Sequence, residues 1–220
     1  MKPIRILPFL LLLGYSTSYS QINQTKLNST AEKFALNSWD LFYELLSIPN
    51  DAHYPEDIMK NVKWCENEFQ ARGFSTKRLK TETVPLVLAE YPISEAKETI
   101  LVYLQIDGQP VDHTRWFQDD PWKPELKQKD KDGEWEIIAW DQIKKNYHPD
   151  MRVFARSTSD AKGPVAMFLT AWDAMNSLEK QPPYNLKIIM DFEEELGSPH
   201  LPAAVEKYSE ELASDCLVIF

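Results

Sequence analysis

The stretch TILVYLQIDGQPVD, residues 99–112, decides how the rest of the chain is read. Thr99 to Ile106 is rich in β-formers and apolar enough to be buried on both faces of a sheet, and Gly108 and Pro110 then turn the chain away. Strands of that kind belong to parallel sheets with helices on both sides, so the flanking sequence should alternate helix and strand. It does. Apolar residues at helical spacing mark helices over Ala31 to Leu46, stopped at Pro49, and Pro55 to Ala71, closed by Gly73. Thr83 to Tyr91 reads as a strand. Residues 121–150 form a polar, aromatic, lysine-rich excursion with a short strand near Trp135 to Trp140 and a turn at Asp132-Gly133. Beyond it come a strand (Arg152 to Ala155), a helix (Gly163 to Leu178), a strand (Leu186 to Phe192), a helix (Pro199 to Ser209) and a last strand (Cys216 to Phe220). The expected fold class is α/β, a mostly parallel sheet with helices on both faces.

Such sheets bind ligands beyond the carboxyl ends of their strands, and three clusters fall there. Gln105 and Asp107 leave the strand end on the same side, which brings an amide and a carboxylate together. RSTSDAKGP, residues 156–164, joins a strand to a helix and carries Asp160, for which an N-cap role is the plain alternative. DFEEELGSP, residues 191–199, places Glu193, Glu194 and Glu195 in succession at the end of a buried strand. Three adjacent carboxylates repel one another, so a positive partner is expected beside them. Neighbouring strand-end residues point to opposite sides, which allows Glu195 to face a metal ion while Glu194 faces a substrate.

The 220 residues, 43% hydrophobic and 26% charged, suit a folded domain with a sizeable core. Twenty-four basic against 34 acidic side chains leave a net charge of -10 with no Lys/Arg cluster. That balance argues against nucleic acid or an anionic membrane as partner and favours a cation. Only two cysteines, Cys65 and Cys216, are present; they exclude a disulfide-dense scaffold and a thiolate zinc site, and are expected to be buried free thiols, one bridge being the alternative. At the N-terminus, Lys2 and Arg5 precede an apolar run, Ile6 to Leu13, far too short to span a bilayer. With Ser18 and Ser20 as small residues before a cleavage point, residues 1–20 read as a signal peptide. The product is then expected in the periplasm or outside the cell, with no stable membrane insertion.

Taken in order, QIDGQPVD, RSTSDAKGP and FEEELGSPHL resemble the catalytic domain of the zinc-dependent exopeptidase family of carnosinases, aminoacylases and carboxypeptidase G, whose motifs run HxDxxP, GRGxxDxKG and EExGS. The spacings, 53 residues from Asp107 to Asp160 and 35 from Asp160 to Glu195, also match, and the resemblance covers about residues 31 to 220. Ser47-Ile48-Pro49-Asn50 and Gly73-Phe74 are similar to that family's opening residues.

The resemblance implies a metal-dependent hydrolase cleaving dipeptides or N-acyl amino acids, working as a homodimer in its full-length form. It implies two divalent ions with Asp160 between them and a cis peptide from Asp160 to Ala161, Glu195 as a ligand, Glu194 as general base, and Asp107 in the place that orients a histidine ligand. Gln105 stands where that family has the histidine, and an amide oxygen is a poorer donor to zinc than imidazole. Zn²⁺ remains the first expectation, with Mn²⁺ or Mg²⁺ favoured if oxygen ligands dominate. None of His53, His113, His148 and His200 falls at the family's histidine positions. The family continues past residue 220 with a further carboxylate ligand, a lid or dimerisation domain and a last histidine, so residues 21–220 are expected to be the N-terminal part of a catalytic domain. Two other readings stand beside this one. One is a catalytically impaired relative that binds peptides. The other is a glycosidase carboxylate pair with Trp116, Trp122, Trp135 and Trp140 stacking on sugar.

Overall fold

The computed structural model describes residues 23–220, so the signal peptide expected over residues 1–20 lies outside the described residues. The helices are α1 (Gln24–Asn37), α2 (Trp39–Leu46), α3 (Pro55–Ala71), α4 (Gln142–Lys145), α5 (Lys162–Ser177), α6 (Leu201–Lys207) and α7 (Ser209–Leu212). The strands are β1 (Ser75–Leu79), β2 (Leu86–Tyr91), β3 (Thr99–Gln105), β4 (Glu125–Lys129), β5 (Trp135–Ile138), β6 (Arg152–Phe154), β7 (Asn185–Asp191) and β8 (Cys216–Ile219).

Five strands make the central sheet in the order β1-β2-β7-β3-β8. β3 pairs parallel with β7 and β8, β2 runs antiparallel to β7, and β1 antiparallel to β2. Four of the five therefore point the same way, and β2 alone is reversed. Alternation along each strand feeds two cores. Val87, Ala89, Val102, Leu104, Ile188 and Met190 pack against Leu45 of α2, Ile58, Val62 and Phe69 of α3, and Val165, Leu169 and Trp172 of α5. On the opposite face Leu86, Leu88, Leu101 and Ile189 meet Ala204 of α6 and Leu212 of α7. Helices thus cover both faces, as expected from the apolar strands.

Several elements differ from the sequence expectation. The first helix is two helices, because the Ser38 hydroxyl donates to the Ala35 carbonyl at 2.9 Å and its backbone N–H reaches Phe34 and Ala35, ending α1. The β2 strand begins at Leu86 rather than Thr83, since Pro85 has no N–H to give a ladder. β1 is a polar edge strand, and β4 joins β5 and β6 in a separate antiparallel sheet of order β5-β4-β6.

Both cysteines are free, but only Cys65 is buried. Cys216 is exposed because it sits on β8, whose four residues are all exposed and whose outer edge has no partner strand among the described residues. No helix of the described residues is long and apolar enough to cross a membrane.

Candidate metal centre

The parallel register of β3 and β7 sets Gln105 opposite Asp191, so both strands end side by side, and Ile106 N–H donates to the Asp191 carbonyl at 3.1 Å. Residues 105–109 and 191–198 leave the sheet together. The loop before α5, with Asp160, is the third wall.

A fully buried asparagine ties these walls. Asn50 Nδ2 donates to the Ile106 carbonyl at 2.7 Å and to Ser157 Oγ at 3.0 Å, Asn50 Oδ1 accepts from Trp122 Nε1 at 3.1 Å, and the Asn50 carbonyl accepts the Gly108 N–H at 2.8 Å. Gly108 has to be glycine, for a Cβ there would lie 2.2 Å from Ser157 Oγ. Replacing Asn50 by Ala would strand several buried donors and acceptors at once. Asn50→Ala is expected to lower unfolding free energy by about 2 kcal/mol, read from the denaturation midpoint.

Asp107 is 1% exposed. Its Oδ2 accepts the Glu195 backbone N–H at 2.9 Å, and its buried Oδ1 has no hydrogen-bond partner. Burial, with the Asp191 charge adding to it, pushes the carboxyl up to about 7 against the pull of the Glu195 and Glu194 backbone N–H groups. Asp191, also buried, shapes the glutamate turn. Its Oδ1 accepts the Glu193 N–H at 3.0 Å, and its Oδ2 accepts the Tyr103 hydroxyl at 3.1 Å and Ser198 Oγ–H at 2.7 Å. Gly197 closes the single 3₁₀ turn Glu194–Leu196 at φ 82°. Glu193 turns aside, accepting the Thr83 hydroxyl at 2.7 and 2.6 Å.

Glu194 lies close enough to Glu195, Asp160 and Asp191 that their charges add to partial burial, the larger cause, in raising its carboxyl above the usual range. Gln105 Nε2 donates to Asp160 Oδ1 at 2.9 Å, and Gln109 Nε2 to Glu195 Oε2 at 3.0 Å. The structure therefore brings all five expected residues, Gln105, Asp107, Asp160, Glu194 and Glu195, to one end of the sheet.

Asp160 is no N-cap, however. α5 starts at Lys162 with Ala161 in the cap position and no side-chain cap bond, and the Asp160-Ala161 peptide is cis. Lys162, in the first turn of α5, is fully buried and donates to the Leu45 carbonyl at 2.8 Å and to the Ile48 carbonyl. Burial pushes its ammonium down to about 7. A cation in the first turn opposes the helix dipole, and that was the available signal that Lys162 serves something other than the helix. Asn50, Gln109, Ser157 and Asp191 carried no such local mark.

Among the described residues, none of Asp107, Asp160, Asp191, Glu193, Glu194 and Glu195 lies in an ion pair. Six carboxylates crowd two strand ends without a counter-charge, one with an orphaned buried oxygen, and that is chemistry a divalent cation satisfies. No three of the described His, Cys, Asp and Glu side chains converge as a group able to hold an ion alone. The donors fit a centre that these residues share with water or further ligands. Three of the four tryptophans are engaged within the protein. Trp122 gives its N–H to Asn50, Trp140 packs edge-on against Trp39 and Tyr43, and Trp135 stands against Phe154.

No protein-family model matches the chain. Among curated proteins it is similar to the "Cys-Gly metallodipeptidase DUG1" of Candida albicans, 26% identical over 211 residues, covering 89% of this chain and 39% of that protein. It is also similar to human "Beta-Ala-His dipeptidase", 30% identical over 137 residues, covering 61% and 23% respectively. Among solved structures, the M20 family metallo-carboxypeptidase Sso-CP2 from Sulfolobus solfataricus superposes with a TM-score of 0.66 at 25% identity, over 83% of this chain and 36% of that one. The chain spans less than half the length of each of these relatives.

Proposed function

We propose that this chain, whose sequence relatives are metallodipeptidases and whose fold is shared with an M20 metallo-carboxypeptidase, carries the water-activating part of a metal-dependent dipeptidase site. The observation that carries the reading is the uncompensated carboxylate cluster at the ends of β3 and β7, with the orphaned Asp107 oxygen inside it. Asp160 and Glu195 would hold the ion; each carboxylate also accepts a glutamine amide N–H, Asp160 from Gln105 and Glu195 from Gln109. A bound divalent ion supplies a water acidic enough to lose a proton near neutral pH and polarises the peptide carbonyl. Oxygen donors leave room for Mn²⁺ or Mg²⁺ beside Zn²⁺.

Glu194 takes that proton on its carboxylate. Its raised affinity for protons suits it to accept one and later pass it to the leaving amine. Asp107 holds the Glu195 backbone N–H, and Asp191 holds the turn from below, so the two glutamates keep separate directions. The names of the relatives point to Cys-Gly and β-Ala-His as first substrates to test, and the sequence resemblance adds N-acyl amino acids as a second class. The signal-peptide reading of residues 1–20 supports an activity outside the cytoplasm.

Equilibrium dialysis against Zn²⁺ or Mn²⁺ is expected to show bound ion that Asp160→Ala removes, together with dipeptide hydrolysis that stops in a chelator. Hydrolysis indifferent to chelation, or ion binding indifferent to Asp160→Ala, would refute the reading.

A further inference from the structure

Resting on that reading, we infer that Lys162 is a positioning residue for the ion, fixing the Asp160 loop to the same short segment, Leu45 to Asn50, that mounts the turn carrying Asp107. Asp160 lies in a loop whose two stems, Ser157 and Lys162, are closed on each other by the Lys162 backbone N–H donating to the Ser157 carbonyl at 3.0 Å. Both stems end on that segment. Asn50 Nδ2 donates to the Ser157 hydroxyl oxygen at 3.0 Å, and the fully buried Lys162 ammonium donates to the Leu45 carbonyl at 2.8 Å and to the Ile48 carbonyl. Asn50 also donates to the Ile106 carbonyl and accepts the Gly108 N–H, the residues on either side of Asp107. Asp107 and Asp160 thus share one mount.

The way Lys162 is held suits that task better than it suits the helix. It opens α5, where the dipole disfavours a cation, and no carboxylate pairs with it among the described residues. Its acceptors are carbonyls at the carboxyl end of α2, which is where that helix favours positive charge. The Asp160 side chain itself is exposed, and its bond among the described residues is the one from Gln105. Its place therefore depends on the stems.

The test is Co²⁺ binding, read as a dissociation constant by titration calorimetry and as the visible absorption of the bound ion, which reports its ligands. Arg72→Met serves as the comparison, because Arg72 braces the far end of α5 through Asp173, at 2.9 and 2.7 Å, away from the centre. Lys162→Met, which keeps an unbranched stem and removes the donors, is expected to weaken Co²⁺ binding by about tenfold or more and to change the absorption. Arg72→Met is expected to lower the denaturation midpoint and leave both readouts unchanged. Lys162→Gln keeps a shorter N–H donor; it is expected to fall between wild type and Lys162→Met, and it carries the test alone if the methionine variant fails to fold. Lys162 variants that lose stability but bind Co²⁺ with native affinity and absorption would overturn the inference and leave the metal-hydrolase reading intact, as would an equal loss of affinity in Arg72→Met. A wild type that binds no Co²⁺ would overturn the reading on which the inference rests.

Discussion

Glu194→Gln is expected to lower turnover by about 10² or more while leaving ion binding unchanged. The substitution keeps size and shape and removes only the capacity to accept a proton. Glu194 is the proposed acceptor because partial burial, with the charges of Glu195, Asp160 and Asp191 adding to it, raises its proton affinity. Glu195, the proposed ligand, has one oxygen on Gln109 and its backbone N–H on Asp107. The measurement is kcat on a cleaved dipeptide beside dialysis of the ion. Full turnover in Glu194→Gln, or turnover and ion lost together, would reverse the two assignments.

The second large effect is on stability in the metal-free protein. Asp107 titrates at about 7 when folded, against an ordinary value of 3.8. Its carboxyl pKa is raised, so between those values the folded chain holds a proton that the unfolded chain has released. The stability this contributes is fully present below about pH 4 and is lost as pH rises through 7, a loss on the order of 4 kcal/mol across the window. Lys162 acts above that window with the opposite slope. Its folded value is lowered to about 7, so the unfolded chain binds the extra proton up to about pH 10 and stability recovers as pH rises. With chelator present, these two groups together place a stability minimum near neutral pH. Asp107→Asn keeps the side chain neutral at every pH and is expected to abolish the acid-side limb, as read from denaturant midpoints at about pH 4.5 and 7, both below the window in which Lys162 acts. An unchanged slope in that variant would show that Asp107 is ionised in the native state throughout.

The sheet was legible where burial is two-sided. β3 and β7 are apolar enough to declare themselves, and the polar clusters at their ends declare the site. β1, with the sequence STKRL, was not legible, because an edge strand needs no apolar face, and β4, the middle strand of the small sheet, hides in a lysine-rich run because only Leu126 of its five residues is buried. At the site, residue types and order pointed to Gln105, Asp107, Asp160, Glu194 and Glu195. What the sequence could not reveal was direction. Whether Gln105 offers its oxygen or its N–H depends on where Asp160 lies, 55 positions away. Asn50 is silent for the same reason, since its partners Ile106 and Ser157 stand 56 and 107 residues along the chain.

The outer edge of β8 has one more consequence. Leu217, Val218 and Ile219 stand exposed on a strand whose second row of backbone donors and acceptors is open among the described residues. Such an edge is a template on which another extended chain can add itself, and its apolar side chains make it adhesive. The excess of acidic over basic side chains on each copy works against edge-to-edge stacking at neutral pH, and salt, by screening that repulsion, weakens the protection.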